Sequence, residues 1–311
     1  MTEKTNNSND SKDESRAYKR EKQKGERWDG YLVKNLNSYQ KLVPYLMKTR
    51  TGSSNYFRDK FDVTNVVKYL EDKNKELNNR KDLSDDGEIE KYTYNHFFMT
   101  AMTRLIALRP HLNRFVAGKK IYQRHNIEIS YVIKKEFSDH AEQSLTISKF
   151  ERDSNIEDVI KVLTPDIKGV RDSSDDDHGD FLGTLLKLPR FIVSFIVMFM
   201  DFCIVIGRAP KFLREMDAMQ CSVFVTNLGG FDLNTTPVHH LYDRGTISIF
   251  VMIGTVTKKE DDEGYEVEIA VTMDERITNG FYYLNSFKLL QEIFNNPEQL
   301  DERLKEVPID E

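Results

Sequence analysis

Apolar side chains recur along this chain at two periods, and the switches between them predict its elements. Val63, Val66, Val67 and Leu70 stand at helical spacing, with Asp62 or Thr64 placed to cap the helix they begin. Residues 38–50 also read as a helix, with Pro44 in its first turns or at a kink. Thr93 or Asn95 can cap a helix that runs to Leu108 and stops before Pro110. Residues 156–170 and 281–294 are further helical runs. Strand patterns cover 54–61, 127–133, 144–150, 222–226, 246–257 and 265–273. Phe115-Val116 and Ile121-Tyr122 flank Ala117-Gly118-Lys119-Lys120, which reads as a hairpin. Residues 81–90 form a polar loop and residues 171–180 (RDSSDDDHGD) an exposed acidic one. No internal repeat is visible. Long helices beside hairpin-linked strands predict an α+β fold, with helices layered on a mixed sheet.

Residues 191–206 (FIVSFIVMFMDFCIVI) depart from both periods, being apolar except at Ser194 and Asp201. A spanning helix needs about 20 apolar residues, and a charge is costly near a bilayer centre. Pro189-Arg190 before the run and Arg208-Ala209-Pro210 after it punctuate a helix of globular length, within 188–207. The expectation is a helix buried in the protein or in an oligomer, in preference to one on a membrane surface and least of all a span. A membrane is not an expected partner.

Composition narrows the classes of function. The 311 residues suffice for one large domain or two small ones. Net charge is -6, from 45 basic and 51 acidic residues, which argues against a nucleic-acid partner. Two cysteines, Cys203 and Cys221, give neither a disulfide framework nor a metal spacing, so a reducing, cytoplasmic setting is the default. His96, His111, His125 and His140 are scattered, and no metal is expected. No GxGxxG or Walker lysine motif occurs. The N-terminus is polar and lacks a signal-peptide core, so residues 1–27 read as a disordered tail and 28–311 as a single domain.

Asp274-Glu275-Arg276-Ile277-Thr278-Asn279-Gly280 lies between the strand at 265–273 and the helix at 281–294. It resembles Asp-His-Arg-x-x-Asp-Gly, the signature of the dihydrolipoyl acyltransferase catalytic domain of 2-oxoacid dehydrogenase complexes. Chloramphenicol acetyltransferase belongs to the same superfamily. Phe61-Asp62-Val63-Thr64 is similar to that family's Asp-Val-Thr. Arg109-Pro110-His111-Leu112-Asn113 is similar to its Pro-x-x-Asn, Val225-Thr226-Asn227-Leu228-Gly229 to Ile-Ser-Asn-Leu-Gly, and Asn296-Pro297-Glu298-Gln299-Leu300 to Asn-Pro-x-x-Leu. The pieces keep their order from about Leu36 to Leu304. The resemblance implies an acyltransferase domain of the coenzyme-A-dependent fold, a two-layer mixed sheet with helices. It implies a homotrimer with its site between subunits, and small-molecule partners: coenzyme A or acyl-CoA as donor, and an acceptor. No lipoyl-type Asp-Lys-Ala turn precedes Leu36, so lipoyl and subunit-binding domains are not expected.

The resemblance also assigns roles. Thr226 aligns with the Ser that hydrogen-bonds the tetrahedral oxyanion, and a Thr hydroxyl can donate the same bond; otherwise it is a strand-end Thr satisfied by backbone. Glu275 replaces the His that takes a thiol proton. A carboxylate, ordinarily near pKa 4.3, is a poor base for a thiol near 8.5, so Glu275 is expected to hold Arg276 or a neighbouring chain. Asn279 replaces the later Asp and can still orient backbone. Gly280 is expected to open the helix without crowding it, and Gly229-Gly230 to form a positive-φ turn. His239-His240-Leu241-Tyr242-Asp243-Arg244-Gly245 only superficially resembles the acetyltransferase His-His-x-x-x-Asp-Gly, yet in the resembling fold it lies near the thiol channel. His240 could replace the missing base, with Asp243 or Tyr242 orienting it. Tyr282-Tyr283 and Phe287 read as core or subunit contact. Two readings stand: an acyltransferase with an altered base, or a catalytically inactive trimeric scaffold or ligand-binding protein.

Overall fold

The strands pair into two sheets. The computed structural model describes residues 22–81, 91–134, 143–172, 187–211, 217–231, 233, 235–260 and 263–308. Most of the expected tail, the polar loop at 82–90 and the acidic loop from 173 lie outside these residues. The main sheet has six strands in the order β2 (Ser54–Asp62), β9 (Tyr265–Asp274), β8 (Ile249–Lys258), β7 (Val223–Asn227), β5 (Ile127–Lys134) and β6 (Gln143–Phe150). Pairing is antiparallel except at β5–β7 and β7–β8, so the sheet is mixed. β1 (Gly30–Leu32), β4 (Lys120–Arg124) and β3 (Arg114–Ala117) form a small second sheet. The β3–β4 turn carries Gly118 at φ 55 and Lys119 at φ 62, the two left-handed residues of a tight hairpin. β1 was not expected. It is three residues long, and its Gly30 lets the backbone approach Gln123 so closely that a side chain would collide with that carbonyl.

Alternation gives the main sheet two unlike faces. Val223, Val225, Val251, Ile269, Val271 and their neighbours point to the principal core. α2 (Thr64–Lys81), α3 (Tyr94–Leu108), α4 (Ile156–Asp172) and the C-terminal helix, called α6 below (Gly280–Asn295), cover that face. α3 is buried from Phe97 to Ala107. Thr93 caps it by accepting from the His96 amide, and Asp62 accepts from the Thr64 amide at the start of α2. Phe97, Phe98 and Phe61 gather around Phe294 at centroid distances of 5.7–5.8 Å. The opposite face carries Phe224, Phe250, Met252 and Ala270 under the segment that includes Leu241 and Ile247.

Three expectations change. α1 (Ser38–Leu46) ends before residue 50, and residues 51–53 make a tight 3-10 turn instead, because the backbone at Met47 turns extended. Pro44 lies inside α1 and is buried. β8 starts at Ile249, since Thr246 and Ile247 both donate to the Met219 carbonyl and not to a ladder. The helix expected over residues 191–206 forms as α5 (Arg190–Ile206), but it is not buried in this chain. Only Cys203 and Ile204 are buried within it; among the described residues its bonds to the rest of the chain, from Arg27 and Arg244, fall in its C-terminal half. No described helix is long and apolar enough to cross a membrane.

Phe294→Ala should empty the centre of the aromatic cluster. Its expected cost is about 3–5 kcal/mol, read in urea as a lower midpoint with an unchanged slope.

Candidate active site

β9 ends in Asp274, whose carboxylate has no exposed surface. Its Oδ1 accepts from the Arg276 Nε at 2.8 Å and its Oδ2 from the Arg276 Nη2 at 2.7 Å, a two-pronged pair. Oδ1 also accepts from the Arg276 amide at 3.1 Å and the Ser53 hydroxyl at 3.0 Å. Arg50 stands 3.8 Å from Oδ2. Burial lowers the Arg50 pKa to about 10, against the opposing pull of Asp274. Its other nitrogens donate to the carbonyls of Asp243 and Val116. The Tyr283 hydroxyl donates to the Asp274 carbonyl, and burial, then the nearby Asp274 charge, raises that phenol's pKa. Asp274, and not Glu275, therefore holds Arg276. The reason is steric: consecutive residues point apart, while two positions on the chain doubles back.

Glu275 is exposed; its amide donates to the Ser53 carbonyl, and among the described residues its side chain makes no hydrogen bond. Asn279 caps α6 by accepting from the Tyr282 amide at 2.9 Å. Gly280 faces open space, so lack of room does not demand a glycine there. Gly229 does not adopt a positive φ; its amide instead donates to the Asn227 side chain.

Thr226 sits at the end of β7 on the second face of the sheet, half-buried. Among the described residues its hydroxyl has no hydrogen-bond partner, which favours a free donor over the backbone-satisfied alternative. Register aligns Thr226, Met252 and Ala270 in one row, and Phe224, Phe250 and Thr272 in the next. The His239 ring stacks on Phe250 at 4.4 Å, and the Thr272 hydroxyl donates to the His239 carbonyl. His239 Nδ1 carries a proton toward the His240 carbonyl at 2.6 Å. The exposed His240 ring stacks on His239 at 4.8 Å. The His239 ring thus stands over the row next to that of Thr226, roughly 7 Å away along the strands, and His240 lies against His239.

Asp243 does not orient His240. Its Oδ1 accepts from the Thr51 amide at 2.8 Å, the contact that lowers its pKa. Tyr242 lies 5.9 Å from the His240 ring, tilted, as a packing neighbour. Glu275 is five residues beyond Ala270 along β9 and two strands across from Thr226. That places the two roughly 20 Å apart within one chain. One cavity lies between α3, α6 and the first face of the sheet, and another beside Asn113 and Gln123. Neither touches Thr226, His240 or Glu275. Unforeseen is His111, which comes to the 274–280 turn: its Nδ1 is 3.3 Å from the Thr278 hydroxyl, and its ring stacks on Tyr282 at 4.3 Å. No local spacing announces a pair 167 residues apart. No group of metal-binding side chains occurs among the described residues.

This layering of helices on a mixed sheet is the coenzyme-A-dependent acyltransferase fold. A probable dihydrolipoamide acetyltransferase from Listeria monocytogenes 4b F2365 is similar over 85% of this chain and 94% of its own, with a TM-score of 0.54 at 15% identity. Chloramphenicol acetyltransferase is similar over 85% of this chain and 99% of its own, with a TM-score of 0.54 at 8% identity. No family model and no curated protein sequence matches the chain.

Asp274→Ala should leave Arg276 and Arg50 buried without their carboxylate, a loss of about 3–5 kcal/mol in a urea titration. Glu275→Gln, at an exposed position, should stay within about 0.5 kcal/mol of wild type.

Proposed function

We propose that residues 28–311 form an acyltransferase domain that moves an acyl group between coenzyme A and a small acceptor, with its site between subunits of a homotrimer. The observation that carries this is the half-buried hydroxyl of Thr226, without a hydrogen-bond partner among the described residues, on the sheet face where His239 stacks one row away and carries His240 against its ring. The acceptor, a thiol or other small nucleophile, gives its proton to the His240 imidazole as it attacks the thioester carbonyl. The oxyanion of the tetrahedral intermediate accepts a hydrogen bond from Thr226. The carbon–sulfur bond then breaks, and the proton returns from the imidazole to the departing coenzyme A thiolate. A second subunit supplies the missing wall. In one chain the turn at 274–280 and Thr226 lie at opposite ends of their strands, so the turn of a neighbouring subunit is the one that can face Thr226.

A second reading keeps the fold without turnover. Asn279 is engaged as a helix cap and Asp243 as a loop tie, so neither carboxylate of the family pattern is replaced by an equivalent near His240. The protein would then be a trimeric scaffold or small-molecule binder.

Thiol release from acetyl-CoA, measured with a panel of thiol and amine acceptors, separates the two. His240→Ala should lose about 10²–10⁴ in rate, Thr226→Val about 10²–10³, and Glu275→Gln much less. Abolition by Glu275→Gln with His240→Ala still active would reverse the assignment of the base. No turnover by wild type with any acceptor would favour the scaffold.

Light scattering should give a trimer at micromolar concentration. A clear monomer would leave the site without half its walls.

A further inference from the structure

α5 carries a continuous apolar stripe on the outside of the protein. Phe191, Phe195, Met198, Phe199 and Phe202 recur at helical spacing on one face, each 54–74% exposed. An exposed stripe of this kind marks a docking surface. Among the described residues, the bonds that hold the helix to the rest of the chain fall in its C-terminal half. Arg27 donates to the carbonyls of Ile204 and Val205, and Gly207 closes the last turn at φ 70, a position where a side chain would collide with Arg27. The first three turns extend beyond the buried residues Cys203 and Ile204.

Charge decides what this stripe fits. Lys187 and Arg190 flank one end of α5 and Arg208 the other, all exposed. Pro189 provides no side-chain cap, and no acidic residue occupies the first turn, so the amide ends add positive charge to the two cations there. The helix has one acid, Asp201, bonded to Arg244 at 2.9 Å within the same chain. Two copies packed along this stripe would set cations against cations in either direction. A surface with an apolar interior and an anionic skin answers both the stripe and its ends. We infer that α5 docks the protein onto an anionic phospholipid bilayer, lying in the interface with its phenylalanines in the acyl region and its flanking cations among the headgroup phosphates. At 17 residues the helix is about 25 Å long, too short for a span but sufficient to lie in one leaflet.

The test is flotation of the full chain with phosphatidylcholine vesicles, with and without about one-third phosphatidylglycerol. Wild type should float with the anionic vesicles, less with the neutral ones, and less at high salt. Phe195→Glu combined with Phe199→Glu should lower the vesicle partition by about a hundredfold or more, while the circular dichroism spectrum stays that of wild type. Arg190→Glu with Arg208→Glu should weaken binding to the anionic vesicles alone. Phe195→Trp adds a gain of signal, a blue-shifted emission on mixing. Failure of wild type to float, or flotation of the double Phe variant equal to wild type, would overturn the proposal. So would a double Phe variant that falls apart to smaller oligomers with its vesicle binding intact, because the stripe would then be a contact between copies.

Discussion

The carboxylate of Asp274 is a charge with no contact to water, and such a charge survives only where cations and donors surround it. Arg276 clamps it in two places, Ser53 adds a hydroxyl, and Arg50 approaches from the far side. The partners come from two parts of the chain, the turn after β9 and the tight turn before β2. Arg276 shapes the turn into α6, Ser53 closes the tight turn before β2, and Arg50 ties both to β3 and to the loop at Asp243. The turn that resembles the acyltransferase signature is thus held as an electrostatic knot. Its conformation is fixed by Asp274 and Arg276, which the resemblance keeps, and not by the positions where the chain departs from it.

Those departures then become free to change. Glu275 projects from a turn already held without it, and Asn279 does a helix-capping task that either a carboxylate or an amide can do. In the function proposed above, the base and the oxyanion donor come from elsewhere on the fold. The second face of the sheet offers it, because alternation along β7, β8 and β9 puts Thr226 on the side where Phe250 supports the histidine pair. The same antiparallel register that aligns these rows carries Asp274 to the other end of the strands. Within one chain the two ends therefore stay apart, which is why the proposed site draws on a second copy.

α5 obeys a different balance. Its anchoring rests on backbone carbonyls capped by Arg27 and on a left-handed glycine. Its apolar surface contributes little to the stability of the single chain, because most of it stays in water. A helix this apolar, fixed through its C-terminal half and flanked by cations at both ends, has its apolar burial outside the chain.

Local patterns were legible wherever neighbours in sequence are neighbours in space. The Thr93 cap, the Gly118-Lys119 turn, the period of Val63, Val66, Val67 and Leu70, and the strands on either side of Thr226 all follow from contacts a few residues long. The resemblance running from Leu36 to Leu304 pointed to the fold for the same reason, since each motif is a local strand end or helix start. Other facts depended on how the chain returns on itself. Asp243 pairs with Thr51 across 192 residues and Asp274 with Ser53 across 221, so the orienting role open to Asp243 in the sequence was taken by a distant amide. The run at 191–206 reads as buried because hydropathy records the preference of a helix for apolar surroundings. Whether the same chain supplies those surroundings is settled by the packing of its other elements, and among the described residues they bury only Cys203 and Ile204.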